Sequence, residues 1–163
     1  MGEARPDLTF GNITLVPGKR GGEYPFCNTL VIDDDARALV DPAAGRKKMT
    51  AVREQRDADV IIVTHHHEDH WWHSYLFPGA EIWMHEADAG AMRSLDDLFR
   101  HQGLNDPALR EQWGAILKER FHFSGWTPRR LKSGETLRIG ATVARVVHTP
   151  GHTPGHICVH FPE

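Results

Sequence analysis

Thr64-His65-His66-His67-Glu68-Asp69-His70 places four histidines and two carboxylates directly after the apolar run Val60-Ile61-Ile62-Val63. No other feature restricts the fold as much, because the strand that precedes this stretch must deliver all of these side chains to one exposed loop. Clustered imidazoles repel one another when protonated and lose solvation when neutral, whereas a divalent cation turns the same crowding into coordination.

The rest of the composition narrows the classes. A chain of 163 residues suits one domain, residues 1–163, with a real core. The formal net charge of −3 offers no bulk attraction to nucleic acid or to a membrane surface, so partners must be argued from the site, where a small-molecule substrate is expected. Twelve histidines are present, and eight of them fall in residues 64–73 and 148–156, a distribution that scattered surface histidines would not give. Cys27 and Cys158 form neither a disulfide framework nor a CxxC knuckle, which points to a reducing cytoplasm. Residues 1–7 lack an apolar leader core, and no segment reaches membrane-spanning length. A soluble, cytoplasmic protein is expected.

Along the chain, residues 8–16, 26–32 and 36–40 read as an antiparallel meander, with a hairpin across Asp33-Asp34-Asp35. Residues 46–56 read as a surface helix and 60–63 as a buried strand, an order that layers helix on sheet. A short strand over 80–84 and a helix over 86–93 follow. Asp106 as N-cap and Pro107 at the first helical position open a longer helix carrying Trp113, Ile116, Leu117 and Phe121 on one face. Residues 136–139 and 142–147 form a hairpin across Gly140-Ala141, and 157–161 a last strand.

His65 and His67, two apart on an extended stretch, can point the same way, as can Asp69 and His70 once the chain turns helical. A third ligand must come from elsewhere, and His152, in a tight turn set by Pro150 and Gly151, is the candidate. Three imidazoles complete a tetrahedral site with water in the fourth position; Asp69 and His70 begin a second, oxygen-richer one. A solitary loop histidine is more often solvated than ligating, but five convergent positions reverse that expectation. Alternation turns His66, Glu68 and His73 away, toward solvent or a supporting role. His148 reads as structural and His156 as a hydrogen-bond support for the loop that carries His152. His85, His101, His122 and His160 have no partner in sequence. Asp41, before Pro42, reads first as a turn residue and otherwise as one that orients a ligand.

Thr-His-x-His-x-Asp-His after an apolar strand, with the later Thr149-Pro150-Gly151-His152-Thr153-Pro154-Gly155-His156, resembles the metallo-β-lactamase superfamily, and most closely its glyoxalase II-like hydrolases. Residues 28–41 are similar to the early hairpin of that family, ending in Asp-Pro. The resemblance implies an α/β (α+β) fold, the metallo-β-lactamase-like αββα sandwich. It also implies His65, His67 and His152 on a first metal and Asp69 with His70 on a second, Asp69 being the catalytic group that accepts a proton from the nucleophilic water. Zinc, as one or two ions, is the implied cofactor, with iron or manganese as alternatives. The implied reaction is attack of a metal-bound hydroxide on a thioester, lactone or lactam carbonyl.

Two departures from the family pattern qualify these expectations. Trp71-Trp72-His73 stands where family members carry small residues, so a narrower, more aromatic pocket is expected. The bridging Asp and the last His of the family would follow Phe161, so the chain reads as the N-terminal half or two-thirds of such a domain. A sheet ending there favours completion by dimerisation or element exchange, hence a homo-oligomer. Two rival readings follow: a mononuclear iron enzyme resembling persulfide dioxygenases, and a non-catalytic metal-binding fragment. Flavodiiron relatives fit less well, since they carry Glu where His67 stands.

Overall fold

Alternation along the central strands sets the layering. In β3 (Thr29–Asp33), β4 (Arg37–Val40) and β5 (Val60–Val63), Val31, Leu39, Ile61 and Val63 enter one core while Ile32, Ala38, Val40, Val60 and Ile62 enter another. Successive strand side chains point to opposite faces, so a strand covered on both sides must be apolar throughout. β5 is buried at every residue. Each Ile-sized side chain fully buried contributes about 1.5–3 kcal/mol, which makes β5 a rigid base for the loop at its end.

The computed structural model describes residues 6–162, so most of the stretch 1–7, expected to carry no leader core, lies outside the described residues. A seven-stranded sheet runs in the order β1 to β7, adding β1 (Leu8–Phe10), β2 (Ile13–Val16), β6 (Glu81–His85) and β7 (Arg129–Leu131). Pairing is antiparallel from β1 to β4 and parallel from β4 to β7. One face carries α1 (Arg46–Gln55), α2 (Glu68–Trp71), α3 (Glu86–Ala89), α4 (Leu95–His101) and α5 (Pro107–Glu119), with Met49, Trp71, Leu98 and Leu117 in the helical core. Against the other face lies a three-stranded antiparallel sheet of β8 (Thr136–Ile139), β9 (Thr142–His148) and β10 (Ile157–His160). Its Leu137, Ile139, Val146 and Ile157 close the second core.

The expected mixed α/β class is therefore present, with three of the four layers of an αββα sandwich among the described residues. On the outer face of the small sheet Arg138, Arg145, Val147, Cys158 and His160 are exposed. No helix among the described residues is long and apolar enough to cross a membrane.

Three elements differ from expectation. Residues 8–16 fold back at Gly11, whose φ of +60° lies in the left-handed region that glycine enters at little cost, so one expected strand becomes β1 and β2. The helix expected over 86–93 is α-helical only to Ala89 and ends in a 3₁₀ turn, Gly90–Arg93. β7 has no alternating pattern of its own; its strand state comes from pairing with β6. The α5 signals behave as expected: Asp106 Oδ1 accepts the Leu109 N–H at 2.9 Å, and Leu117 and Phe121 are buried while Ile116 stays 39% exposed.

Candidate metal centre

The loop begins where β5 ends, and Asp41 fixes how it leaves the strand. The Thr64 N–H donates to Asp41 Oδ1 at 2.8 Å and the Thr64 hydroxyl to Oδ2 at 2.7 Å. The same Oδ2 lies 2.8 Å from His70 Nδ1. Asp41 itself sits at φ +52°, a conformation Asp tolerates better than most residues. Its carboxylate thus takes His70 Nδ1–H and leaves Nε2, which stands 3.7 Å from Asp69 Oδ2. Burial opposes the charged form of His70, but the hydrogen bond and charge of Asp41, with Asp69 and Glu68, outweigh it and raise the pKa.

Beside this pinned imidazole, ligand nitrogens of His65, His67 and His152 all lie within 4.8 Å of one another. His67 Nδ1 and His152 Nε2 are 3.0 Å apart. His65 Nδ1 is 3.1 Å from Thr64 Oγ1, while its Nε2 is buried with no hydrogen-bond partner. Buried polar atoms are rarely left unpaired. Nitrogens bound at 2.0–2.1 Å around a tetrahedral zinc stand about 3.3 Å apart, close to the 3.0 Å between His67 Nδ1 and His152 Nε2. Burial first, then His70, His67 and His152, pushes the His65 pKa down to about 2. His67 is lowered to about 4, chiefly by burial, then by His66 and His152. Both rings are neutral at pH 7, the form that donates to a metal. His65 is buried, His67 half-buried and His152 exposed, so the cluster opens to solvent on the His152 side. An all-nitrogen donor set with an orphaned buried atom fits a divalent ion.

A second set of donors, Cys27, Asp41 and His70, also lies within 4.8 Å, but two of its three members are already engaged. Both Asp41 oxygens accept hydrogen bonds, and Cys27 Sγ–H donates to the Asp41 carbonyl at 3.4 Å. Burial, helped by Asp41 and Asp69, raises the Cys27 pKa and keeps the thiol protonated. Asp69 and His70, expected on a second ion, offer two donors between them.

The residues that alternation turns away from the proposed ligands take supporting places, and the structure adds Asp88 to them. His66 is buried, at 2% exposure, rather than solvated, and its Nδ1 lies 3.0 Å from Asp88 Oδ2. Glu68 is buried and accepts the Tyr24 hydroxyl at 2.8 Å. The His73 N–H donates to Pro42 O at 3.0 Å, and burial lowers the ring pKa to about 4. His156 Nδ1 is 2.8 Å from Thr149 Oγ1 in the loop carrying His152. His148 stacks on His85 with centroids 4.1 Å apart, and its Nε2 lies 2.8 Å from Pro154 O. Trp71 enters the core, and half-buried Trp72 stacks on Phe26 at 5.3 Å. Asp88 belongs to no motif, and only its neighbours in space reveal it.

Comparisons with known proteins bear on the family and the fold. The family model described as the metallo-beta-lactamase superfamily matches residues 23–163. Among solved structures, a metallo-beta-lactamase family protein from Thermus thermophilus is 25% identical, with a TM-score of 0.66 over 93% of this chain and 56% of its own. A beta-lactamase domain protein from Burkholderia ambifaria is 19% identical, TM-score 0.66, covering 99% and 52%. A mutant of the FEZ-1 metallo-beta-lactamase from Legionella gormanii is 21% identical, TM-score 0.70, covering 98% and 58%. The chain thus spans little more than half the length of these structures. No curated protein matches it in sequence.

Proposed function

This chain belongs to the metallo-β-lactamase superfamily, and from that premise we propose that it is a metal-dependent hydrolase of a small substrate with a thioester, lactone or lactam carbonyl. The observation that carries the reading is the meeting of ligand nitrogens of His65, His67 and His152 within 4.8 Å of one another, with His67 Nδ1 3.0 Å from His152 Nε2 and His65 Nε2 buried and unpartnered. These three rings would hold the ion, and zinc suits an all-imidazole tetrahedral set with one position left for water. A bound zinc supplies Lewis acidity, lowering the pKa of a coordinated water to about 7 and polarising the carbonyl.

The remaining work falls to the chain's own groups. Asp69, half-buried, accepts at its carboxylate the proton released as water adds to the carbonyl carbon, and returns it to the leaving thiol, alcohol or amine. Asp41 keeps Thr64 and His70 from turning, so the loop is set before substrate arrives. The engagement of Cys27 and Asp41 with their neighbours supports a single ion for this chain's own donors, with His70 and Asp69 serving substrate and proton.

The test is metal quantification beside a hydrolysis assay with thioester, lactone and β-lactam substrates. Turnover of one class, abolished by a chelator and restored by zinc, is expected. One bound ion without turnover of any class would replace this reading with that of a metal-binding fragment. Iron in protein purified without added zinc, with oxygen consumption on a persulfide, would replace it with the mononuclear iron oxygenase.

A further inference from the structure

The three imidazoles come from parts of the chain that no strand pairing joins. His65 and His67 follow β5 of the large sheet, whereas His152 lies between β9 and β10 of the small one. Their spacing must therefore be set by contacts between the two loops. One is the Ile157 N–H to Thr64 O bond at 3.1 Å, and His67 Nδ1 meets His152 Nε2 at 3.0 Å; a further group converges on Asp88 in α3.

Asp88 is wholly buried. Its Oδ1 accepts the Gly155 N–H at 2.7 Å. Its Oδ2 accepts the Thr153 hydroxyl at 2.6 Å and the His66 N–H at 3.2 Å, and lies 3.0 Å from His66 Nδ1. These donors adjoin the metal-binding histidines: His66 stands between His65 and His67, and Thr153 follows His152. Contact is so close that a Cβ on Gly155 would lie 2.6 Å from Asp88 Cγ and N, so only glycine permits it. The donors from His66, Thr153 and Gly155 overcome the effect of burial and bring the Asp88 pKa down to about 2.

We infer that Asp88 is the positioning residue of the metal centre, the clamp that holds the His65–His67 loop and the His152 loop at ligand distance. This rests on the reading of the three imidazoles as ligands. Asp88→Asn keeps the shape but replaces an acceptor with an NH₂ that must face either the Gly155 N–H or the His66 N–H together with the Thr153 hydroxyl. Supporting groups behind metal ligands typically contribute about 10–100-fold in affinity.

Zinc affinity by chelator competition, the visible spectrum of the cobalt-substituted protein, and hydrogen exchange of the metal-free protein test the inference. For Asp88→Asn the expected results are zinc affinity about 10–100-fold weaker, a changed cobalt spectrum, unchanged far-UV circular dichroism, and faster exchange at the Gly155 and His66 amides. Thr153→Val should move each readout the same way by less, and it decides the matter if Asp88→Asn does not fold. Wild-type zinc affinity and cobalt spectrum in the variant would overturn the inference. Failure of the wild-type chain to bind zinc would instead overturn the ligand assignment, and the two amides would still report whether Asp88 joins the loops.

Discussion

Two clusters of metal-capable atoms lie side by side in this molecule, and they differ in what their lone pairs are already doing. Cys27, Asp41 and His70 are as close together as His65, His67 and His152. In the first cluster Asp41 spends both oxygens on Thr64 and His70, and the thiol is held protonated by burial. In the second, His65 Nε2 has no partner, and the His65 and His67 rings are held neutral. Proximity alone does not qualify a cluster to hold a metal; donors not spent on the rest of the fold do, and His67 Nδ1 and His152 Nε2 are paired with each other at 3.0 Å. The engaged cluster acts as the frame of the open one.

Removing a ligand from the open cluster should break the contrast most strongly. Four-ligand structural zinc sites are worth about 10–16 kcal/mol, so His65→Ala or His152→Ala should weaken zinc binding about 100- to 1,000-fold, measured by chelator competition. Metal content unchanged in His152→Ala would refute the assignment. Asp41→Asn comes next. With His70 and Thr64 released, hydrolysis should fall about 10- to 100-fold, while zinc affinity changes less than the activity does. Equal losses in both would mean that the engaged cluster binds the ion itself.

Acid sharpens the same comparison in metal-free protein. His65, His67 and His73 have pKa values lowered by burial, so below their unfolded value of about 6.5 the unfolded chain takes up protons that the folded chain refuses. Stability is present above that pH and is lost as pH falls toward about 4. His70, with a raised pKa, acts oppositely: its contribution is full at low pH and is lost as pH rises through its folded value. Three rings against one should leave the metal-free protein on the order of 4 kcal/mol less stable at pH 5 than at pH 7, read from urea midpoints. A midpoint that rises on acidification would show the clustered rings to be protonated. The smallest effect is expected of Cys27→Ser, which should leave zinc stoichiometry unchanged and shift stability by no more than about 1 kcal/mol.

Much of this was legible in the chain because periodicity and local spacing report what a segment does by itself. The apolar run before Thr64 has no polar residue to place at a surface, so its burial follows. Asp106-Pro107 marks a helix start through backbone chemistry that no tertiary contact needs to supply. What stayed hidden depends on approach from a distance. Asp88 looks like any acidic residue in the first turn of a helix until Thr153 and Gly155 come to it across the gap between sheets. His66 alternates away from its neighbours as expected, but away from the ligands proves to be inward, toward Asp88, rather than out to water. Asp41 carries a turn signal and a site role together, and spacing reports only the turn. β7 has no pattern at all and exists because β6 offers an edge.

X-ray absorption of the zinc-loaded protein tests the central claim most directly, since it reads which atoms touch the ion. Three imidazole nitrogens at about 2.0–2.1 Å, a light fourth ligand and no sulfur are expected. A zinc–sulfur distance of about 2.3 Å, lost in Cys27→Ser, would place the ion among Cys27, Asp41 and His70 and would contradict the assignment to His65, His67 and His152.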